Sequence, residues 1–426
     1  MATKTGEATR AAGLARMEAF LPASGRDYAR DRNADHGPGE RSNVSMLSPY
    51  LRHRLVTERE LLERTLSRHS LQAAEKFVQE VFWRGYFKGY LEAQPQIWTR
   101  YRRALDQQLQ ALESDAALAR KYQRALTGNT GIDCFDFWVK ELLETGYLHN
   151  HARMWFASIW IFTLKLPWEL GADFTFRHFL DGDPASNTLS WRWVGGLHTR
   201  GKTYLARPAN IREYTNGRFD PKGLTPEALP LEEPDFGHIN AARRERFTTS
   251  PGPALLLLTE EDLHSESLDF GCAEVSAVVA GHAVQGRSPL PAADAVLRFT
   301  EAALADGLTR ASVHFRAPAE PITDLSAEAL IDLARRHDAR QILTAYAPVG
   351  PASDRLIFLQ PALAREGIAL VEVNRPEDLA IWPHANRGFF KVKERIPAIL
   401  QELGVGPASA QGELFSPAKT RRPAHR

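Results

Sequence analysis

The sequence has few of the residues that build covalent or metal-held frameworks. It contains only two cysteines, Cys134 and Cys272, among 426 residues. Two cysteines so far apart exclude a disulfide framework and a four-cysteine iron–sulfur cluster. Because free cysteines persist in reducing compartments, we predict a cytoplasmic protein without a metal site.

Long apolar runs, excess charge and familiar nucleotide-binding loops are also missing. No stretch approaches the roughly 18 apolar residues of a membrane span, and the first residues lack the apolar core of a signal peptide. The net charge is +1, so any nucleic-acid site must be a local patch. Neither a GxGxxG motif nor a P-loop occurs. These absences exclude a membrane protein and the common dinucleotide-binding signatures.

Two types of periodicity divide the chain. Helical periodicity without strand-like alternation continues to about residue 200, and a helix is predicted at 389–404. Between them, short apolar runs alternate with helical segments, which is typical of a mostly parallel sheet covered by helices. We therefore predict an α + α/β protein, with a helical domain at 1–220 and an α/β lobe at 253–404. The predicted strands are 254–259, 273–281, 311–316, 341–346 and 368–373.

Two segments of different composition complete the predicted organisation. Residues 221–252 are rich in proline and polar residues, which indicates a linker. Residues 405–426 are basic and poor in apolar residues, so we predict a disordered tail.

The segment 147–193 organises the helical half, because its polar residues would share faces of apolar helices. Asn150, Arg153 and Met154 stand at i, i+3 and i+4, and the loop 181–187 adds two aspartates and an asparagine. A buried arginine that faces carboxylates is costly unless a polar group fills the space between them. The pattern therefore predicts a polar ligand at this place.

Two further clusters are weaker signals when taken alone. The segment 45–48 places hydroxyls at a helix start, where phosphate can bind, although serine is also an ordinary helix cap. Glu80, Trp83 and Arg84 share a helix face, where a neighbouring Glu and Arg are more often a structural ion pair.

Taken together, these clusters resemble the FAD-binding domain of the photolyase/cryptochrome superfamily over about residues 10–220. The halves stand in the opposite order from familiar photolyases, so the chain resembles an inverted-topology bacterial photolyase-like subgroup. In that subgroup the α/β lobe is expected to cover the flavin site. The matching segments are Tyr28, SMLSPYL (45–51), EVFWR (80–84), TGYLHNHARM (145–154) and DGDPASNTLSWRW (181–193).

The resemblance implies FAD as the cofactor and assigns a part of it to each matching residue. Phosphate and ribityl contacts are implied for the first two segments. Directly before the second one, Val44 stands where the family often has threonine. Arg153 and Asp181 would pair beside the isoalloxazine, and neutral amides would lie near flavin N5, where they tolerate a reduced anionic flavin. The implied FAD-contacting residues are Tyr28, Ser45, Leu47, Ser48, Glu80, Arg84, Asn150, Arg153, Asp181, Asp183 and Asn187.

The resemblance also implies a lesion site for UV-damaged DNA. Glu80 would hydrogen-bond pyrimidine carbonyls, with Trp83 and Trp193 as stacking walls. Six-four photolyases carry histidines at the positions of Asn150 and Met154, so the implied substrate is the cyclobutane pyrimidine dimer. Single-stranded DNA is expected from the subgroup. Plant cryptochromes carry aspartate at the position of Asn150, which favours repair over signalling.

An electron relay to the flavin is implied by tryptophans. Trp191 and Trp168 match the inner and middle members of the family's usual triad. The outer position holds no tryptophan, and Tyr122, Trp160 or Trp155 could replace it. Packing in the core is the alternative explanation for Trp155 and Trp160.

The remaining signals concern partners. A basic run after Trp193 could contact DNA phosphates, although such runs are often only solvated faces. Most dimer-repairing relatives have arginine where His151 stands, and a solvent-facing histidine is the alternative for it. A monomer is expected, and the tail peptide from Gln411 to Phe415 resembles a sliding-clamp ligand. The implied DNA-contacting residues are His151, Arg192, Arg200 and Lys202.

Two other functions stay open at this stage. A flavin photoreceptor without repair activity would signal through the α/β lobe or the tail, and a helical protein without flavin would keep only the fold. No motif marks an antenna chromophore.

Overall fold

The first half of the chain is a bundle of twelve α-helices. The computed structural model describes residues 6–234, 248–320 and 325–406. In chain order the helices are α1 (Arg10–Phe20), α2 (Arg26–Asp31), α3 (Ser48–Arg52), α4 (Glu58–Arg68), α5 (Glu75–Ala93), α6 (Gln96–Ser114), α7 (Ala116–Leu126), α8 (Asp133–Thr145), α9 (Asn150–Ser158), α10 (Trp168–His178), α11 (Pro184–Val194) and α12 (Pro208–Tyr214).

Local side-chain chemistry sets several of the helix limits. Thr57 and Glu60 form a capping box at the start of α4. Gly146 ends α8 in the left-handed conformation with φ of 66°, as expected for a C-cap glycine. The segment 100–125, which periodicity predicts as one helix, is interrupted because Asp115 accepts hydrogen bonds from two backbone N–H groups of α7.

The second half contains a four-stranded parallel sheet with helices around it. The strands are β1 (Gly252–Leu258), β2 (Ala273–Ala280), β3 (Gln341–Ala345) and β4 (Ala369–Val373), in the order β2-β1-β3-β4. The central strands are buried on both faces, as their continuous apolar runs predict. The α + α/β fold class is thus confirmed. The helices of this half are α13 (Asp294–Phe315), α14 (Ala327–Arg336), α15 (Pro351–Arg365), α16 (Pro376–Ile381) and α17 (Phe390–Glu402).

One predicted strand, 311–316, is wrong. These residues form the last turns of α13, which ends where Arg316 takes a left-handed φ of 54°. Ala311 is buried and Val313 is exposed, so the segment continues the helical alternation of α13 rather than that of a strand. Packing of the long helix overrides the strand propensity of a six-residue run.

The α/β lobe packs closely against α5 through two glycines. A Cβ atom at Gly89 would lie 2.8 Å from the Ala385 Cβ, and one at Gly85 would lie 2.8 Å from the Ile381 Cδ1. The segment 376–385 therefore approaches the backbone of α5 where no side chain intervenes. This contact fixes the lobe beside the helix that carries Glu80 and Trp83.

A layer of buried charges forms a second contact between the halves. It lies at the carboxyl end of β1, where acids of the lobe meet arginines that follow the Ser48–Leu51 segment. Arg52 makes two hydrogen bonds with Glu261, of 2.6 and 2.8 Å. Arg54 makes two with Asp378, of 2.7 and 2.8 Å. This charged layer comprises Arg52, Arg54, Glu261, Asp262, Arg375 and Asp378, all of them buried.

The described residues leave some predictions open. The domain limits and the linker remain predictions, and the tail peptide 411–415 lies outside the described residues. In the described part of the chain, no helix is both long and apolar enough to cross a membrane.

Candidate active site

Asp181 and Arg153 form an ion pair at the centre of the candidate site. The Arg153 Nη2 donates to the Asp181 Oδ2 at 2.8 Å, and its Nε donates to the Leu148 carbonyl at 2.9 Å. The guanidinium lies 3.9 Å from the ring centre of Phe179. Burial opposes ionisation of Asp181, but Arg153 and the Ser48 hydroxyl outweigh it and lower its pKa. The carboxylate is therefore held charged, as the sequence pattern predicts for this pair.

Asp183 has a structural and an electrostatic role. Its Oδ1 accepts from the Ser186 N–H at 2.7 Å and so caps α11, while its Oδ2 lies 3.6 Å from the Lys88 Nζ. Burial raises its pKa, but Lys88, Arg52 and Arg84 together lower it well below the usual range. The sequence predicts this acid but not Lys88, whose i+4 spacing from Arg84 is the signal that could have found it.

Several buried polar atoms at this site have no hydrogen-bond partner within the described residues. Buried donors and acceptors are normally paired, so these atoms indicate a polar occupant. The cations Arg84 and Lys88 suit phosphate, and the carboxylates suit N–H donors of flavin or adenine. The donor set therefore fits FAD. The unpaired atoms are Arg84 Nε and Nη2, Lys88 Nζ, Asp181 Oδ1, Asp183 Oδ2 and Ser186 Oγ.

The predicted phosphate-side residues lie along the segment before and at α3. Tyr28 packs edge-on against Phe77 with ring centres 5.0 Å apart. Leu47 is fully buried, and its N–H donates to the Ser45 hydroxyl at 3.3 Å. Ser48 begins α3, and its hydroxyl helps to lower the pKa of Asp181. The structure thus brings Ser48 near Asp181, while the Ser45 hydroxyl accepts a hydrogen bond within its own turn.

The two asparagines predicted near the flavin differ in environment. Asn187 is buried. Its Oδ1 accepts from the Thr175 hydroxyl at 3.0 Å and its Nδ2 donates to the Ala172 carbonyl at 2.9 Å, which leaves one amide hydrogen. Asn150 is exposed at the first position of α9, with the half-buried Met154 one turn later. Their places near flavin N5 and the lesion remain predictions.

Glu80 is paired with an arginine that the pattern did not reveal. The Arg32 Nη1 donates to the Glu80 Oε1 at 2.7 Å. Burial raises the pKa of Glu80, and this effect exceeds the opposing ones of Arg32 and Lys76. The position of Arg32, four residues after Tyr28, is the only sequence signal for it.

Trp83 has one face covered by the α/β lobe. Its ring stacks on Phe389 with centroids 3.8 Å apart and planes 14° apart. Trp193, the other predicted wall, lies 5.7 Å from Tyr204 and is half-buried. A ligand can stack on the covered face of Trp83 only when Phe389 moves. No sequence motif indicated this contact.

The tryptophans form a continuous aromatic path. The rings of Trp191 and Trp160 lie 6.1 Å apart, and Trp160 lies 6.1 Å from Tyr122. The Trp160 Nε1 donates to the carbonyl of Pro167, directly before Trp168. The structure therefore places Trp160 between Trp191 and Tyr122.

A glycine allows this path to be tight. A Cβ atom at Gly171 would lie 2.8 Å from the Trp160 Cε2 and would also contact the Trp191 ring. The indoles consequently pack against bare backbone. The Trp191 Nε1 donates to the Thr175 hydroxyl at 3.0 Å, the same hydroxyl that binds Asn187.

The predicted DNA-contacting residues fall into two groups. Arg200 and Lys202 are exposed, as a phosphate contact requires. Arg192 is instead 4% exposed and pairs with Glu233, so its side chain does not reach the surface, and its assignment to DNA is wrong for this structure. Arg192 directly follows Trp191 on α11, a helix of mostly buried residues.

The surroundings of His151 differ from those expected for either alternative, a DNA contact or a solvent-facing side chain. It stacks on Trp155 with centroids 4.1 Å apart. Its Nδ1 is 3.0 Å from the Asn33 carbonyl and its Nε2 is 3.2 Å from the Tyr204 hydroxyl. A freely solvated histidine is thus excluded, and both ring nitrogens already have partners.

No group of three or more metal-ligating side chains suited to a metal ion occurs in residues 6–234, 248–320 and 325–406. The site is therefore one of ion pairs, amides and aromatic rings.

Comparison with known proteins agrees with this geometry. Residues 77–224, which include the ligand-facing side of α5 and the whole Arg153–Asp181 pair, match the family model described as the FAD binding domain of DNA photolyase. Residues 77–224 of this chain are therefore similar to a photolyase FAD-binding domain. FAD is the cofactor of this domain, and the unpaired buried atoms are where its residues would hold it.

Individual relatives match about half of the chain. The chain is 36% identical to a deoxyribodipyrimidine photo-lyase of Thermus thermophilus over 228 residues, which is 53% of this chain and 51% of that protein. It is also 36% identical to one of Streptomyces griseus over 187 residues, 42% of this chain and 37% of that protein. The chain thus spans about half the length of the curated relatives it matches, or less.

A solved class III photolyase from Agrobacterium tumefaciens aligns with 49% of this chain and 43% of its own. The identity is 23% and the TM-score is 0.41, a distant likeness.

Proposed function

We propose that this protein is a light-driven photolyase that splits cyclobutane pyrimidine dimers, with single-stranded DNA as the preferred form. The observation that carries the proposal is the ion pair between the half-buried Arg153 and the buried Asp181, together with the atoms of Arg84 and Lys88 that lack hydrogen-bond partners and the adjacent α5 residues Glu80 and Trp83. A helical protein without flavin would have no use for Arg84 and Lys88 donor atoms that are buried without a hydrogen-bond partner in the described residues.

The bound FAD would supply one electron to the lesion from its light-excited reduced form and take it back after the ring opens. Around it, Arg84 and Lys88 would hold phosphate charge, and Asp181 would accept hydrogen bonds while Arg153 keeps it ionised. Asn187 would offer its remaining amide hydrogen. These residues would bind and orient the cofactor.

Glu80 would act on the substrate side. Because burial raises its pKa, Glu80 would take up a proton more readily than an exposed glutamate and could donate it to a pyrimidine carbonyl that becomes more basic on reduction. Arg32 holds the Glu80 side chain at 2.7 Å and would fix its direction. Asn150 and Met154, which stand where six-four photolyases carry histidines, support the cyclobutane dimer as the substrate.

The electron path for flavin reduction would begin at Trp191. The ring distances support a continuation through Trp160 to Tyr122, or through the Pro167 carbonyl to Trp168. These ring contacts favour Trp160 as a member of the electron path over a role in core packing alone. We also propose that the protein is a cytoplasmic monomer and that it binds a sliding clamp through residues 411–415.

The decisive experiment is blue-light repair of a dimer-containing oligonucleotide, single- and double-stranded, by the flavin-loaded protein. Glu80→Ala should lower the repair rate about 10- to 100-fold, because the charge on the reduced pyrimidine loses its hydrogen-bond donor. The control is Glu63→Ala, which alters an exposed side chain of α4 and should repair the dimer at the wild-type rate. Equal rates for Glu80→Ala and wild type would refute the role of Glu80.

A photoreceptor without repair activity is the second candidate, and the stacking of Phe389 on Trp83 favours it. In that case the protein would bind FAD and undergo photoreduction, but no dimer would be opened in either strand form. The same assay separates the two candidates.

A further inference from the structure

A basic groove lies on the lobe next to the covered face of Trp83. The groove, here called the 383–395 groove, has a volume of about 390 Å³ and is lined by His384, Arg387, Lys391 and Arg395, with Glu394 as its single carboxylate. Phe389, which stacks on Trp83, stands within the same segment. Residues on both sides of Phe389 in the chain thus line the groove.

The cations of the 383–395 groove are available for a partner. Arg387 and Arg395 have no ion pair with any carboxylate in the described residues. Lys391 lies 3.4 Å from Glu394, but both side chains are about half exposed, and such a pair is weak. Three fixed cations against one carboxylate favour an anionic ligand.

The spacing favours a linear polyanion over a single anion. Arg387, Lys391 and Arg395 follow one another at four-residue intervals, and the last two share a face of α17, one turn or about 6 Å apart. Phe390 stands beside them with 64% of its surface exposed. Cations in a row with an exposed aromatic ring are typical of single-strand binding, where phosphates pair with the cations and bases stack on the ring.

We propose that the 383–395 groove binds the phosphates of the DNA strand that presents its lesion to Trp83, with Phe390 as a stacking platform for a neighbouring base. This inference rests on the proposed repair function and adds a DNA-binding role for the α/β lobe. An acidic peptide is disfavoured, because it would leave the exposed ring without a stacking partner.

The test compares two double variants of the flavin-loaded full-length protein. Arg387→Gln/Arg395→Gln removes two cations of the groove, whereas Arg336→Gln/Arg365→Gln removes two exposed arginines from α14 and α15. Binding of an undamaged oligothymidylate of about 16 nucleotides is measured by fluorescence anisotropy between low and high salt.

The groove variant should bind about tenfold more weakly or worse, and its salt slope should fall by about 0.7 for each lost contact. The control pair should retain the wild-type affinity and slope. Phe390→Ala should weaken binding about fivefold without changing the slope, because stacking releases no counterions. A groove variant that keeps both affinity and slope, or that loses no more than the control, overturns the proposal.

A second substrate separates this inference from the proposed function. A free dinucleotide dimer has no flanking phosphates, so the groove variant should repair it under blue light at the wild-type rate. If the wild type fails to repair this dinucleotide, the repair function is wrong, while the oligothymidylate titration still decides whether the groove binds DNA. Unchanged absorbance of the bound flavin confirms that each variant is folded.

Discussion

In the charged layer, the ion pairs that join the two halves set arginines of the helical half against acids of the α/β half. The helical half supplies arginines from one short segment, Arg52 and Arg54, and the α/β half supplies acids at the carboxyl end of β1 and the start of α16. Against α5, by contrast, the halves meet through bare glycine backbone. One contact depends on charge and hydrogen bonds, the other on close approach.

This difference teaches which contact specifies how the halves fit. A buried charge without its partner is strongly destabilising, whereas a tight apolar contact has a graded steric cost. The charged layer should therefore admit only one arrangement, and the glycine contact should tolerate small shifts. The four predictions below test this comparison, from the largest expected effect to the smallest.

Loss of Arg54 should have the largest effect. Arg54→Met leaves Asp378, Asp262 and Glu58 as buried acids without this cation, so the free energy of unfolding should fall by about 3–5 kcal/mol. Urea unfolding measures it. The matched control is Arg59→Met, whose partner Glu63 is exposed, and it should lose less than about 1 kcal/mol. Similar losses in the two variants would contradict a special role for the layer.

Adding a methyl group at Gly89 should have a smaller effect. Gly89→Ala places a Cβ 2.8 Å from the Ala385 Cβ, and the resulting overpacking should lower the free energy of unfolding by about 1–3 kcal/mol. Gly39→Ala is the control, since nothing lies within 4 Å of its Cβ position. It should change stability by no more than about 0.5 kcal/mol. A neutral Gly89→Ala would mean that the lobe shifts freely on α5.

Glu260 should make stability depend on pH in the opposite direction from its neighbour Asp262. Burial and then Glu261 raise the pKa of Glu260 to about 7, while Arg375 and Arg54 overcome burial and lower the pKa of Asp262. Between about pH 4.5 and 7 the folded state holds the Glu260 proton more tightly than the unfolded chain, so this group's stabilising contribution is lost as pH rises.

The variant Glu260→Gln removes that loss. The free energy of unfolding of Glu260→Gln, taken relative to wild type, should be about 1–2 kcal/mol higher at pH 8 than at pH 5. The Ala283 N–H, which donates to this carboxylate at 3.0 Å, can still donate to the amide oxygen. A difference that does not change with pH would show that Glu260 is ionised throughout this range.

Phe389→Ala should have the smallest effect, and it should strengthen binding of a dimer-containing oligonucleotide rather than weaken it. A stacked aromatic pair contributes about 0.5–1.5 kcal/mol, and a lesion must displace Phe389 to use the same face of Trp83. The variant should therefore bind a dimer-containing oligonucleotide about two- to tenfold more tightly. Phe358→Ala, which alters an exposed ring on α15, should bind as wild type does. Weaker binding by Phe389→Ala would mean that this ring supports the lesion.

Much of the fold could be predicted from periodicity, because strands buried on both faces and amphipathic helices leave clear patterns. The segment 311–316 escaped, since only the packing of the whole of α13 decides between a helix and a short strand. The Arg153–Asp181 pair was predictable from spacing and resemblance. Arg32, Phe389 and the partners of His151 were not, because they approach the site from distant parts of the chain without a motif.

The charged layer also bears on how a gene for such a protein can be arranged. Its contacts join side chains that are 209 and 324 residues apart and do not depend on which half is translated first. A circularly permuted chain that begins at the lobe and ends with the helical bundle could bring Arg52 to Glu261 and Arg54 to Asp378 equally well. Genetic order and spatial order are thus separable properties of this architecture.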